Sequence, residues 1–333
     1  MFTMKVIKDS GVASKYYSKS DYYTSGEKEK IISEWGGEGS RILGLSGDVN
    51  IDDFRNIMDG RLPSGESLGK IGSSGVREHK KGWDLVFSAP KSVSVLALAG
   101  RDTRLVDAHQ QAVKSAMRYI EKNYLVTRQS TGGLVSEVNT KNLISASFLH
   151  TTSRKLDPQL HTHNVVMNAT QREDGEWRSV ESRQIYEHSM LFGQIYRAEL
   201  AALSKSLGYE LEIDAKTGTF ELACVRKDVL KAFSKRRAQI EEAAKKYGYT
   251  TTKGMDEAAV RSRDKKQNIP KAQIEQNWRE EFKELGFDPE KIVDQIKCDP
   301  ASSSISSENE SETRDTLSPF RLSLVPCAIP VAG

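Results

Sequence analysis

The chain has 333 residues, 37% of them hydrophobic and 29% charged, and its formal net charge is +3. This composition is typical of a soluble globular protein that can bury a substantial core. No apolar run approaches the length of a membrane span, and the N-terminus lacks the apolar core of a signal peptide. We therefore expect a cytoplasmic protein with no membrane insertion.

The three cysteines, Cys224, Cys298 and Cys327, are odd in number and far apart in sequence. This fits reduced thiols better than a disulfide framework or a thiolate zinc site. Residues 299–333 hold two arginines against five acids, so the rest of the chain carries +6. A mildly basic chain is compatible with nucleic acid binding but is not diagnostic of it.

Two tyrosine pairs lie near the N-terminus, Tyr16-Tyr17 and Tyr22-Tyr23. Packing is the commoner role for any single tyrosine, but these pairs are interleaved with Lys, Ser and Asp and make a poor apolar stripe. An accessible phenol near a metal can attack a phosphorus centre. The metal is needed because a tyrosine of pKa ~10 is far from ionisation at pH 7, a deficit of roughly 4 kcal/mol.

Residues 34–79 predict connecting structure around a helix at residues 52–59. The glycine cluster at residues 36–39 is followed by no GKS or GKT, so we assign no ATP site.

The pattern is clearer from residue 82 onwards. Residues 83–87 predict a strand, and residues 88–100 predict a helix with Ser88 as its N-cap. A second helix is predicted at residues 103–122, and both helices should pack on a sheet. His109, inside the second helix, is interpreted as structural or solvated.

Three of the six histidines fall in one short region, at His150, His161 and His163. Alternate residues of a strand share a face, so His161 and His163 should point the same way, with Val165 and Met167 continuing that face into the core. A turn-rich segment lets the strand ending at His150 return beside them. Three neutral imidazoles leave coordination positions open and indicate a catalytic metal, with unrelated histidines as the alternative.

Asp84 lies in the strand predicted at residues 83–87. A carboxylate beside a metal-bound imidazole can fix the tautomer of the ring or take a proton from a nucleophile. A strand-end hydrogen bond is an equally good interpretation from the strand alone.

The second half of the chain predicts a helix at residues 185–207 and a strand pair at 208–213 and 219–222, which should complete an antiparallel sheet. The fold class is therefore α+β, an antiparallel β-sheet palm flanked by helices. Residues 227–296 predict charged helices, whose basic runs are either solvated faces or DNA contacts. Residues 299–333 form a Ser-rich, acidic tail that we expect to be disordered.

The motifs occur in a specific order: the two tyrosine pairs, the run from Trp83 to Ser94, His150-x-Thr-Ser-Arg154, and Pro158-Gln-Leu-His-Thr-His163. In this order they resemble the TrwC/TraI-type (MobF) conjugative relaxases of the HUH endonuclease superfamily, over residues 1–298. The resemblance implies a palm at residues 1–230, helical fingers at 231–298 that close over single-stranded DNA, and no helicase domain in this chain.

The resemblance also implies a metal-dependent transesterase that nicks one DNA strand at a plasmid origin of transfer and religates it. Tyr16 would be the first nucleophile and form a 5′-phosphotyrosine, with Tyr17 its neighbour and Tyr22 and Tyr23 the second pair. The three histidines would hold a divalent metal, for which Mg, Mn and Zn are candidates.

The implied partners are single-stranded DNA at the origin of transfer, relaxosome accessory proteins and the conjugation machinery. Candidate DNA contacts are Lys91 and Arg154, within the shared motifs, and Arg236 and Arg237, in a basic cluster.

Three alternatives stay open at this point. An unrelated three-histidine metal hydrolase would use water and would not need the tyrosine pairs. A rolling-circle replication initiator shares the chemistry but usually places its histidines before its tyrosine. A DNA-binding protein without catalysis is disfavoured because Tyr16 and all three histidines are intact.

Overall fold

A computed structural model describes residues 1–17, 32–73, 75, 77–264 and 269–298. The predicted second tyrosine pair, Tyr22 and Tyr23, and the predicted tail at 299–333 lie outside the described residues.

The described strands are β1 (Phe2–Ile7), β2 (Ser33–Gly36), β3 (Lys70–Ile71), β4 (Arg77–Glu78), β5 (Gly82–Ser88), β6 (Val126–Thr131), β7 (Leu134–Asn139), β8 (Ser145–Thr152), β9 (Pro158–Met167), β10 (Thr170–Gln171), β11 (Trp177–Arg178), β12 (Leu211–Asp214) and β13 (Thr219–Leu222). The described helices are α1 (Ser10–Tyr17), α2 (Glu38–Ile42), α3 (Ile51–Met58), α4 (Lys91–Leu98), α5 (Thr103–Tyr124), α6 (Arg183–Glu187), α7 (Ser189–Ser206), α8 (Lys227–Ala232), α9 (Lys235–Tyr247), α10 (Thr252–Arg261), α11 (Lys271–Glu284) and α12 (Pro289–Cys298).

Five strands build the central sheet, in the order β1-β5-β9-β8-β2. Every neighbouring pair in this sheet is antiparallel. The strands with the predicted site residues, β5, β8 and β9, occupy the three inner positions. The predicted α+β fold with an antiparallel sheet flanked by helices is confirmed.

The two faces of β9 enter two different cores. Leu160 and Val166 point into a larger core that includes α4, α5 and α7. Val165 and Met167 point into a smaller core that includes α1 and α3. The alternation follows from the two-residue period of a strand, and it places His161 and His163 on the face of the smaller core.

The start of α4 differs from the prediction. Instead of capping this helix, Ser88 is the last residue of β5, and its N–H donates to the carbonyl of Met1 at 2.8 Å. The pairing of β5 with the N-terminal segment therefore continues through Ser88, and α4 begins only at Lys91, after Pro90.

The helix predicted at residues 185–207 is two helices, α6 and α7, which are separated at His188. The backbone of His188 leaves the helical region, at φ −100° and ψ 13°, and its ring nitrogen Nδ1 donates to the carbonyl of Gln184 at 2.8 Å. The break is thus stabilised by the side chain of the residue at which it occurs.

Contrary to the prediction, β12 and β13 do not complete the central sheet. Among the described residues they form hydrogen bonds only with each other, as a separate two-stranded sheet. Phe220 and Leu222 of β13 are buried in the larger core, and the Glu221 carboxylate accepts hydrogen bonds from the backbone and hydroxyl of Ser92. These contacts hold the hairpin on the first turn of α4, in the helical layer.

The C-terminal helices share the larger core with the rest of the protein. Phe233, Trp278, Phe282 and Val293 are all buried in it. In the part of the chain that the structure describes, no helix combines the length and apolar character needed to cross a membrane.

Candidate metal centre and nucleophile

Three histidines meet near the turn of the β8–β9 hairpin. His150 and His161 lie directly opposite each other on the two strands, and His163 follows on the same face of β9. The ring centroids are 4.9 to 5.3 Å apart. One nitrogen of each ring lies within 4.8 Å of the other two, so the structure brings together the three histidines that the sequence singles out.

Hydrogen bonds at Nδ1 orient two of the rings. His163 Nδ1 lies 2.8 Å from Asp84 Oδ2, and His161 Nδ1 lies 2.9 Å from the carbonyl oxygen of Gln159. A carboxylate and a carbonyl can only accept, so Nδ1 carries the proton in both rings. The Nε2 lone pairs are therefore left for a metal ion.

His150 completes the set. Its Nε2 is buried and, among the described residues, has no hydrogen-bond partner. Burial, reinforced by the neighbouring imidazoles, lowers the pKa of His150 well below its ordinary value and the pKa of His161 to about 4. Neutral rings and an unpartnered buried nitrogen fit a divalent cation. Imidazole nitrogens favour Zn and Mn over Mg, which prefers oxygen ligands.

Tyr16 approaches the histidines from α1. Its hydroxyl oxygen lies 3.2 Å from His163 Nε2, and its ring lies 6.1 Å from that of His150 in a stacked orientation. Because His163 keeps its proton on Nδ1, the Tyr16 hydroxyl donates to Nε2. The phenol oxygen is thus placed beside a nitrogen that would ligate the metal.

Tyr17 is buried in the smaller core, where its ring centroid lies 5.4 Å from that of His163. Successive residues point roughly 100° apart around a helix, so neighbouring tyrosines cannot share one direction. Tyr17 is 4% exposed and stacks on Phe148, with ring centroids 5.0 Å apart. Burial and, secondarily, the nearby Asp84 carboxylate raise the pKa of Tyr17, so this phenol is harder to ionise than an ordinary tyrosine.

Lys91 and Arg154 lie close to the histidine strands. The Lys91 ammonium donates to the carbonyl of Pro158 at 2.8 Å and to Gln159 Oε1 at 3.0 Å. Burial lowers the pKa of Lys91 to about 8. Arg154 lies in the loop between β8 and β9. Lys91 thus has a bridging role inside the protein, and DNA contacts of these two residues stay a prediction.

Arg236 and Arg237 belong to α9. Arg236 donates to the carbonyls of Ala259 and Ser262, which tie α9 to the end of α10. Arg237 forms an ion pair with Glu241 one turn further along. Contacts of both residues with DNA also stay a prediction.

The backbone carbonyl of Gln159 is a contact of His161 that the sequence did not reveal. His150 pairs with His161, but Thr152 pairs with Pro158. Between these two pairs β9 advances by three residues while β8 advances by two. This β-bulge turns the Gln159 carbonyl towards the ring of His161. No side-chain pattern marks a backbone carbonyl, so only the register of the hairpin could have indicated its role.

Comparison with known proteins finds a matching family and matching relatives. The family model described as TrwC relaxase matches residues 10–285. The chain is 40% identical over 298 residues to the multifunctional conjugation protein TraI of Escherichia coli, covering 86% of this chain and 16% of that relative. The TraI protein of Escherichia coli strain K12 is 39% identical over the same length. The chain thus spans about one sixth of the length of the curated relatives it matches.

Solved structures of the conjugative relaxase TrwC are also similar to this chain. The metal-bound structure of the conjugative relaxase TrwC in complex with oriT DNA has a TM-score of 0.77 and 36% identity, and covers 87% of this chain and 100% of its own. TrwC complexed with a 27-mer DNA comprising the recognition hairpin and the cleavage site has a TM-score of 0.76, 35% identity and the same coverage.

Fold, site and relatives together define a conjugative relaxase domain. The chain belongs to the TrwC relaxase family, of the MobF type that its motifs resemble.

Proposed function

We propose that this chain nicks one DNA strand at a plasmid origin of transfer and later religates it, with Tyr16 as the first nucleophile. The observation that carries the proposal is the 3.2 Å distance between the Tyr16 hydroxyl oxygen and His163 Nε2. It supports a role for this phenol as a nucleophile, because its oxygen lies beside one of the three histidine nitrogens that could ligate a metal.

The step is a transesterification at phosphorus. The Tyr16 oxygen forms a bond to the scissile phosphate as the bond from phosphorus to the 3′ oxygen breaks. The tyrosine proton is lost, the 3′ oxygen gains one, and the 5′ end remains as a phosphotyrosine ester. One phosphodiester replaces another of similar energy, so the reverse step religates the strand without ATP.

His150, His161 and His163 would hold the divalent metal, whose positive charge stabilises the non-bridging phosphate oxygens when it is bound. Asp84 would act as a positioning residue, because its carboxylate accepts the Nδ1–H of His163. This contact supports the tautomer-fixing role for Asp84 over the proton-accepting role.

The buried position of Tyr17 supports a packing role for this residue rather than a nucleophilic one. Tyr22 and Tyr23 are proposed as the second pair, used when a returning strand must be cut while Tyr16 is still esterified. This assignment rests on the motif alone.

The proposed substrate is single-stranded DNA at the origin of transfer, because the relaxase TrwC is described in complex with oriT DNA. Residues 231–298 are proposed as fingers over that DNA and residues 1–230 as the palm, with Lys91, Arg154, Arg236 and Arg237 as candidate contacts. Relaxosome accessory proteins and the conjugation machinery, in the cytoplasm, are the further partners proposed.

The test is a covalent-adduct assay. Purified protein is incubated with Mn²⁺ and labelled single-stranded oligonucleotides from a panel of transfer origins, and the products are separated under denaturing conditions. We expect a labelled protein band with one origin, lost with chelator and lost in Tyr16→Phe but kept in Tyr17→Phe. Release of labelled DNA without any protein-bound label would instead indicate a hydrolase.

A further inference from the structure

The loop that joins the two histidine strands has a tight and strained conformation. This loop, residues 153–157, is named here the hairpin tip. Leu156 has φ +64°, in the left-handed region that a branched side chain rarely adopts. Inside the tip, the Ser153 hydroxyl oxygen accepts from the backbone N–H groups of Lys155 and Asp157.

The C-terminal helices hold the hairpin tip from outside. The indole Nε1 of Trp278, on α11, donates to the Leu156 carbonyl at 2.6 Å. Lys235 Nζ, at the start of α9, lies 3.6 Å from Oδ1 of Asp157, a carboxylate that is only 1% exposed. Trp278 is itself 7% exposed, so its hydrogen bond to the strained residue is shielded from water.

The hairpin tip leads directly into the histidine site. Pro158 follows the tip, and its carbonyl is held by the Lys91 ammonium. Gln159 comes next, and its carbonyl accepts the Nδ1–H of His161. Gln159 is the third residue after Leu156, whose carbonyl is held by Trp278. The β-bulge follows at once, between Pro158 and His161.

We propose that Trp278 is a positioning residue for the metal centre. By holding the Leu156 carbonyl, α11 keeps the hairpin tip in its strained conformation and thereby keeps the Gln159 carbonyl directed at His161. The inference rests on the metal centre put forward under the proposed function. It gives the C-terminal helices a role in metal binding that does not depend on DNA.

The test uses the full chain without DNA and Co²⁺ as the probe, followed by its visible absorption. Trp278→Phe keeps an aromatic ring but removes the N–H donor. We expect its Co²⁺ dissociation constant to rise about tenfold, the lower end for partners of metal ligands, with a changed absorption spectrum. Lys235→Gln, at a more exposed site, should shift the constant in the same direction by a smaller factor. If Trp278→Phe does not fold, Lys235→Gln still tests whether the contacts of the C-terminal helices with the hairpin tip affect Co²⁺ binding.

Trp177→Phe is the matched control, because Trp177 is a buried tryptophan of the smaller core on β11. It should lower the melting temperature without changing the Co²⁺ constant or spectrum. Wild-type Co²⁺ binding in both Trp278→Phe and Lys235→Gln would overturn the positioning role. His161→Ala tests the metal centre by itself. Wild-type Co²⁺ binding in this variant would show that the histidines do not hold the metal, and the positioning role of Trp278 would then be wrong as well.

Discussion

Asp84 and His163 form the buried contact on which the site depends, with Asp84 Oδ2 at 2.8 Å from His163 Nδ1. The other nitrogen of the same ring faces the Tyr16 hydroxyl. Asp84 therefore determines which nitrogen of His163 is free to bind a metal, although it lies on a different strand, β5, which pairs with β9. The His163 ring thus links the Asp84 carboxylate to the Tyr16 hydroxyl.

Replacing Asp84 should disturb the tautomer of His163. In Asp84→Asn the new amide can donate to Nδ1, which favours the ring form that carries its proton on Nε2 and cannot bind a metal there. We expect Mn²⁺ affinity, measured by isothermal titration calorimetry, to fall about 10- to 100-fold. Asp102→Asn is the control, since Asp102 is fully buried but bonds to Arg104 and Tyr209. Equal Mn²⁺ affinity in Asp84→Asn and the wild type would contradict the tautomer role.

The histidines should matter for nicking but little for DNA affinity. In His161→Ala we expect metal-dependent cleavage to be nearly abolished, because the metal stabilises charge that develops only in the transition state. Single-stranded DNA binding, followed by fluorescence anisotropy, should stay close to wild type because basic side chains supply most of it. Normal cleavage by this variant in the presence of chelator would rule out the metal assignment.

His109 should make the protein less stable in mild acid. It is fully buried between Tyr196 and Thr162, and burial lowers its pKa to about 3. Between its ordinary pKa, ~6.5, and that value, the unfolded chain binds a proton that the folded chain does not, so stability falls as pH falls. The free energy of unfolding, measured with urea, should fall less between pH 7 and pH 5 for His109→Gln than for the wild type. The same loss in both proteins would show that His109 is solvated.

The basic helices call for point substitutions rather than deletion. The sequence alone suggests removing residues 234–298, but Trp278 and Phe282 belong to the larger core, so this deletion would also remove part of the core. Lys245→Gln and Lys246→Gln, both exposed on α9, should reduce the salt dependence of single-stranded DNA binding. The slope of the logarithm of the binding constant against the logarithm of salt concentration should become shallower by about 0.7 for each phosphate that the protein no longer neutralises. Lys216→Gln, in the turn of β12–β13, is the control. If the α9 variants have the same slope as this control, Lys245 and Lys246 are solvated charges that do not contact DNA.

The sequence predicts those parts of the site that depend on local periodicity. The shared face of His161 and His163 follows from strand alternation, and the approach of His150 follows from a short return loop. The capping role predicted for Ser88 is wrong because pairing with the N-terminal segment, a long-range contact, extends β5 beyond the helix-capping signal. The contact of Trp278 with the hairpin tip joins positions 122 residues apart, and no local pattern contains it.

If Tyr16 is the first nucleophile, the DNA trapped in the first cleavage is attached to its oxygen, and mapping the attachment site tests this. The covalent adduct formed with an origin oligonucleotide and Mn²⁺ is digested with protease and nuclease, and the modified peptide is identified by mass spectrometry. We expect the phosphotyrosine on Tyr16, with no adduct in Tyr16→Phe and an undiminished one in Tyr22→Phe. A first-cleavage adduct on Tyr17, Tyr22 or Tyr23 would contradict it.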